Sequence, residues 1–301
     1  MQVTFWGVRG SIPTPGKDTV RIGGNTPCVE VRTVEGDLLI LDAGTGIRPL
    51  GLALEARHAE RTIGHLFLSH THWDHIQGLP FFAPARRRGN RFTIIGARRM
   101  NERLERVLAG QYMDTYLPFS LREMEADILI KEIQDGETVV LGEHTLVTAR
   151  RLDHPGGVFA YRIRCGDLAV VYATDLRHPS AGIDERLVEL AQGADLLIHD
   201  AHFGPEDAVS YPHWGHSSWL QAIAVAEAAQ VRRLALFHFS PNDSDDALEE
   251  LERRAQARFP HAFLSREGMT LDLRAGRISQ ETVARRSGPL QQAAPGPIGV
   301  S

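Results

Sequence analysis

The chain has 301 residues, 43% hydrophobic and 24% charged, a balance that excludes wholesale disorder and allows one large domain. A net charge of −5 argues against a protein that coats nucleic acid by neutralising phosphates. No apolar run approaches the ~18 residues of a membrane span, the start MQVTFWGVRGS carries no secretion signal, and Cys28 and Cys165 alone cannot build a disulfide framework. A cytoplasmic protein with no membrane partner is expected.

In chain order, apolar runs bounded by turn residues predict strands at 3–8, 28–34, 37–44 and 65–70, with Glu35-Gly36 turning the second into the third. Further strands are expected at 92–96, 138–141, 145–149, 158–164 and 168–175, the last two joined at Gly166-Asp167. Helical periodicity marks 101–109, 184–192, 217–230 and 244–258, with Ser217 and Ser244 as N-caps. Strands at 195–200 and 233–239 flank the third of these helices. The mixture predicts an α+β fold, two sheets face to face with helices outside. The apolar pattern fades after Arg274, so 1–275 is expected to form the domain and 276–301 a flexible tail.

The segment Ser69-His70-Thr71-His72-Trp73-Asp74-His75 follows a buried-looking strand and precedes Gly78-Leu79-Pro80. Alternation on an extended stretch sends His70, His72 and Asp74 to one side, and a turn must bring His75 round. A lone histidine is an ordinary core or surface residue. Four ligand-type side chains within six residues, just past a strand end, instead suit a metal site with two ligands for each of two ions.

This segment resembles the H-x-H-x-D-H hallmark of the metallo-β-lactamase-fold hydrolases, and the resemblance runs from about residue 2 to about residue 273. LILDAGTG at 39–46 is similar to the family's first motif, which implies that Asp42 braces the metal loop. His154 in LDHPGG, Asp175 in YATD and His238 in LFHFSP are similar to its later ligands. Taken singly, Asp175 also reads as a turn residue and His238 as a core histidine. The resemblance implies a four-layer αββα sandwich holding two divalent ions. One would sit on His70, His72, His154 and Asp175, the other on Asp74, His75, His238 and Asp175. Imidazole with carboxylate favours zinc and leaves manganese or iron open. A hydroxide bridging the ions would be the nucleophile, aligned by Asp74.

HDAHFGPED at 199–207 and the stretch from GHSSWLQ to LFHFSP at 215–241 resemble the phosphodiesterase branch, which includes ribonuclease Z and cyclic phosphodiesterases. That likeness implies His216 as the acid protonating the leaving oxygen, worth ~10²–10⁴-fold for a departing alkoxide, and Asp200 as its orienting partner. His216 also reads as a helix-start residue and Asp200 as a strand-end turn residue. His154 and Asp175 are only 21 positions apart, which leaves no room for the tRNA-gripping arm of ribonuclease Z, so nucleic acid is the less favoured partner. The stretches FWGVRGSIPTPG and GGNTPCVEVR resemble bacterial cyclic-nucleotide or cyclic-phosphate phosphodiesterases. They offer Arg9, Ser11 and Asn25 either as phosphate contacts or as residues holding a glycine- and proline-rich loop. The arginine-rich 86–99 and the aromatic-bearing 112–119 stay open between substrate contact and ordinary surface or packing. The expected activity is a dinuclear phosphodiesterase for a small, cyclic nucleotide or phosphate diester. The alternatives are an RNA-processing nuclease, a lactonase- or thioesterase-type carbonyl hydrolase and a nucleotide sensor, and a homodimer stays open.

Overall fold

The computed structural model describes residues 1–57, 60–98, 102–120, 123–204 and 211–280. Strands β1 (Gln2–Gly7), β2 (Cys28–Arg32) and β3 (Leu38–Leu41) form an antiparallel meander, and Gly36 makes the turn before β3 at φ 91°. Helix α1 (Ile47–Ala56) crosses to β4 (Ile63–Phe67), parallel to β3. The short α2 (Trp73–Ile76) leads to β5 (Arg91–Ala97), and α3 (Leu104–Gly110) leads to β6 (Asp127–Ile133), both strands again parallel.

The second sheet begins as an antiparallel run, β7 (Thr138–Leu141), β8 (Thr145–Leu152), β9 (Val158–Cys165) and β10 (Leu168–Ala173). It continues in parallel through α4 (Glu185–Ala191), β11 (Leu196–Asp200), α5 (Trp219–Ala228), β12 (Leu234–Phe237), α6 (Asp245–Arg258) and β13 (Ala262–Leu264). The chain then returns to the first sheet as β14 (Met269–Asp272) and β15 (Arg277–Gln280), with β14 beside β1. The sheet orders are β15-β14-β1-β2-β3-β4-β5-β6 and β13-β12-β11-β10-β9-β8-β7.

Strand β3 shows why the layers stack. Its side chains alternate faces, and both faces are buried. Leu39 and Leu41 join Tyr161 and Val171 between the sheets, while Leu38 and Ile40 join Ile47, Leu50 and Leu54 of α1 outside. Each such leucine contributes roughly 1.5–3 kcal/mol by leaving water. Leu187, Ile223 and Leu248, one from each of α4, α5 and α6, extend the other core. The expected αββα sandwich of two mixed sheets is the observed one.

Three details differ from expectation. Ser218, not Ser217, caps α5, in a reciprocal capping box with Gln221, while the Ser217 hydroxyl donates 2.6 Å to the Leu176 carbonyl. Helix α3 starts at Leu104 rather than 101. Strand β15 carries the first sheet to Gln280, past the expected boundary at 275, and the rest of the expected tail, 281–301, lies outside the described residues. Among the described residues no helix is long and apolar enough to cross a membrane.

Candidate metal centre

His70, His154, Asp175, Asp200 and His238 lie at or just beyond the C-terminal ends of β4, β8, β10, β11 and β12, and Asp42 follows β3 directly. The first sheet thus delivers one continuous segment and the second delivers residues from four strands. Asp42, Asp175 and His238 have φ of 62°, 52° and 60°, a left-handed conformation that costs an L-residue roughly 1–2 kcal/mol. Each turns off its strand end toward a shared space. Gly10 packs against that space so tightly that a Cβ would stand 2.5 Å from His238 Cε1.

Ligand-type atoms of His70, His72 and His154 lie within 4.8 Å of one another. His154 Nδ1 donates 2.9 Å to the Gly215 carbonyl, which leaves Nε2, 3.0 Å from His72 Nδ1, with its lone pair available. Burial, then the charge of neighbouring imidazoles, holds His70 well below the ordinary histidine range. Burial and then His154 take His72 down to about 4, and burial lowers His154 as well.

Asp74, His75, Asp175 and His238 form a second group, and His202, His216 and His238 a third that shares His238 with it. His75 Nε2 is 3.3 Å from both Asp74 Oδ2 and Asp175 Oδ1, and His238 Nε2 is 3.2 and 3.1 Å from the same two atoms. Asp175 faces the first two groups, with Oδ2 3.9 Å from His70 Nε2. Behind them Asp42 Oδ2 accepts from His75 Nδ1 at 2.8 Å and from the Ser69 and Tyr172 hydroxyls at 2.7 Å each. This hub fixes the His75 tautomer with Nε2 inward. Burial opposes charge on His75, yet Asp74, Asp175 and Asp42 hold it well above its ordinary value. Burial likewise opposes ionisation of Asp74 and Asp175, but the surrounding imidazoles keep both below the usual carboxylate range.

His216 stands at the edge of the first two groups. Its Nδ1 donates 3.0 Å to Asp200 Oδ2, and the His202 amide donates 2.9 Å to Asp200 Oδ1. Burial alone would strip the His216 proton, but Asp200 raises it to about 9, so the ring is charged at neutral pH. His202 lies flat against it, ring centroids 4.2 Å apart and planes 16° apart, and burial followed by His216 lowers His202 to about 3. His202, Ser69 and Tyr172 were not among the expected residues. The only signal for His202 was its place two residues after Asp200.

Arg9, expected either as a phosphate contact or as a residue holding its loop, holds the loop through Nε and Nη1, while its buried Nη2 has no hydrogen-bond partner among the described residues. It is fully buried, and it donates to the carbonyls of Gly23, Ser240 and Asp243 at 3.2, 3.1 and 2.9 Å, tying the first loop to the one after β12. Asn25 is likewise engaged, its Nδ2 donating 2.9 Å to Glu267. Ser11 differs, being exposed at φ 63° with its amide donating 2.8 Å to Asp74 Oδ2. In the arginine-rich segment Arg86 lies 4.3 Å over the Phe119 ring, Arg87 donates to the Glu60 carbonyl and Arg91 pairs with Asp127 at 2.7 Å. Arg98 lines a cavity of about 910 Å³ with Arg151, and Arg99 lies outside the described residues. Tyr112 is buried and Phe119 packs on it and on Phe81, while Met113 and Tyr116 between them are exposed.

The side chains fit two divalent cations. Among the described residues the buried Nε2 of His70 has no hydrogen-bond partner, a state that costs about 1–3 kcal/mol unless another group meets the atom, and the buried Nε2 of His75 stands 3.3 Å from two carboxylates without hydrogen-bond geometry to either. Buried Asp42, Asp74 and Asp175 crowd one raised imidazole, an excess of negative charge that cations at the centre would balance. Imidazole and carboxylate without thiolate suit zinc, manganese or iron, and Cys28 and Cys165 are buried free thiols outside all three groups.

The model of the family described as the beta-lactamase superfamily domain matches residues 38–239. A ribonuclease Z of Synechococcus sp. (strain CC9311) is 26% identical over 325 residues, covering 91% of this chain and 99% of that protein. Among solved structures, a diphosphatase from the PhnP family superposes with TM-score 0.65 at 22% identity, covering 90% of this chain and 97% of its own. Zn(2+)-bound PqqB from Methylobacterium extorquens also gives 0.65, at 19% identity, covering 90% of this chain and all (100%) of its own. At these identities the two structures speak for the fold.

Proposed function

The chain belongs to the beta-lactamase superfamily and is a hydrolase of that fold, and from this premise we propose a dinuclear metal-dependent phosphodiesterase acting on a small, cyclic nucleotide or phosphate diester. The observation that carries this reading is the Asp200–His216 pair, a charged imidazole whose Nδ1 is held by Asp200 and whose Nε2 would serve a leaving oxygen. His70, His72 and His154 would hold one ion, Asp74, His75 and His238 the other, and Asp175 both. Bound there, the ions would acidify water and polarise phosphoryl oxygens. Hydrolysis adds a water oxygen to phosphorus and breaks the bond to the alcohol oxygen. The water's proton passes to solvent, Asp74 accepts a hydrogen bond from the attacking oxygen and aligns it, Asp200 holds the His216 ring in place, and His216 delivers its proton to the departing oxygen. The short β9–β10 hairpin between His154 and Asp175 supports a small substrate.

The relatives named ribonuclease Z favour a second reading, an RNA-processing nuclease, and keep nucleic acid a candidate partner. Protein of measured metal content, assayed on 2′,3′- and 3′,5′-cyclic nucleotides, a tRNA precursor, a lactone and nitrocefin, separates the readings. Cyclic-nucleotide turnover that a chelator abolishes and zinc or manganese restores is expected. Cleavage of the tRNA precursor alone establishes the second reading, and fast lactone opening with inert diesters sinks both.

A further inference from the structure

Beside His216 the surface becomes aromatic. Trp214 and Tyr211 are 58% and 50% exposed, with ring centroids 5.6 Å apart. Both rest on buried Phe203, at 6.4 and 6.2 Å, and Phe203 meets His216 edge-on at 5.7 Å with planes 81° apart. Phe203 is bridged through its backbone to Ser218, so the wall shares the frame that carries Asp200 and His216. An aromatic surface therefore runs from open solvent to the proton donor, and exposed apolar side chains gathered in this way mark a binding surface.

The geometry of a cyclic nucleotide explains what such a wall would face. Its leaving oxygen and its base are attached to the same sugar. A donor that protonates that oxygen has the base within one sugar's length, on its own side of phosphorus.

We propose that Tyr211 and Trp214, backed by buried Phe203, form the subsite for the substrate's nucleobase, on the leaving-group side of the centre. The inference rests on the phosphodiesterase reading and narrows it to base-bearing diesters. The wall is chiefly ring face and edge, so it recognises the base by stacking and tolerates exchange of one base for another.

The test uses the metal-loaded full chain, with Trp214→Ala and Trp214→Phe variants. Calorimetry measures binding of adenosine 3′-monophosphate and of ribose 5-phosphate, which has no base. Turnover is followed on adenosine 2′,3′-cyclic phosphate and on glycerol 1,2-cyclic phosphate. Trp214→Ala is expected to weaken the nucleotide about tenfold or more and the bare sugar phosphate less than about twofold, and Trp214→Phe to restore most of the loss. KM for the cyclic nucleotide rises in parallel, while kcat and the glycerol substrate stay near parental values. Equal losses for both ligands, no loss for either, or a parent chain that binds no nucleotide overturns the subsite. A parent that binds nucleotide through Trp214 but hydrolyses no diester overturns the phosphodiesterase reading and leaves the subsite standing. A dimer that Trp214→Ala splits, with nucleotide affinity unchanged, makes the wall a subunit contact and overturns the proposal.

Discussion

Around His70, burial and neighbouring imidazoles remove protons and leave lone pairs facing inward; around His216, also buried deeply, a carboxylate 3.0 Å from Nδ1 keeps the proton on. His154 belongs to the first environment because its Nδ1 meets only the Gly215 carbonyl. The partner of the outward nitrogen thus decides whether the inward one gives or accepts. His75 sharpens the rule. It has a carboxylate behind it as His216 does, but its Nε2 faces two more carboxylates, where a cation would take the proton's place.

The largest effect should come from erasing the donor corner. His216→Ala is expected to lower kcat on a cyclic nucleotide by about 10²–10⁴-fold, with little change on bis-p-nitrophenyl phosphate, whose leaving group needs no proton. Bound metal, measured by elemental analysis, should not change. In the parent, kcat should hold at neutral pH and fall as pH rises through about 9, where His216 loses its proton. Asp200→Asn should move that limb toward the ordinary histidine value. The stability contributed by the pair has the same sign, full below that ordinary value and lost on the way up to about 9.

A smaller effect breaks the ligand corner alone. Asp42→Ala removes the hub behind His75 and should weaken metal binding about 10–100-fold in competition with a chromophoric chelator. The alkaline limb of the reloaded enzyme should stay in place. Smallest is Ser218→Ala, which removes the α5 cap and should cost about 1 kcal/mol in urea unfolding of the metal-free protein. Unchanged metal affinity in that variant would separate the frame from both corners.

What the sequence revealed follows the same division. His70 to His75 is legible directly, because one strand end carries all four side chains. His154, Asp175 and His238 come from separate strands, and only likeness to a family joins them. Helix α1 went unread because Pro49 and Gly51 look like breakers, although a proline in the first turn is compatible with a helix. Edge strand β6, with Asp127, Leu129 and Lys131 exposed on one face and half-buried Glu132 on the other, lacks the apolar signal of a central strand. Arg9 stayed ambiguous for a physical reason as well: an arginine in a glycine-rich loop suits an anion or the loop's own carbonyls, and here backbone carbonyls take its Nε and Nη1 donors.

The backbone twist at Asp42, Asp175 and His238 has a consequence for anyone engineering this scaffold. Glycine adopts that twist freely, so in the metal-free protein selection for heat resistance alone would favour glycine at Asp175 and His238 by roughly 1 kcal/mol each, whereas at Asp42 it would strand the buried donors of His75, Ser69 and Tyr172. The survivors would be robust and inert. Libraries built on this chain therefore need those two codons locked, since there durability and chemistry compete for the same residues.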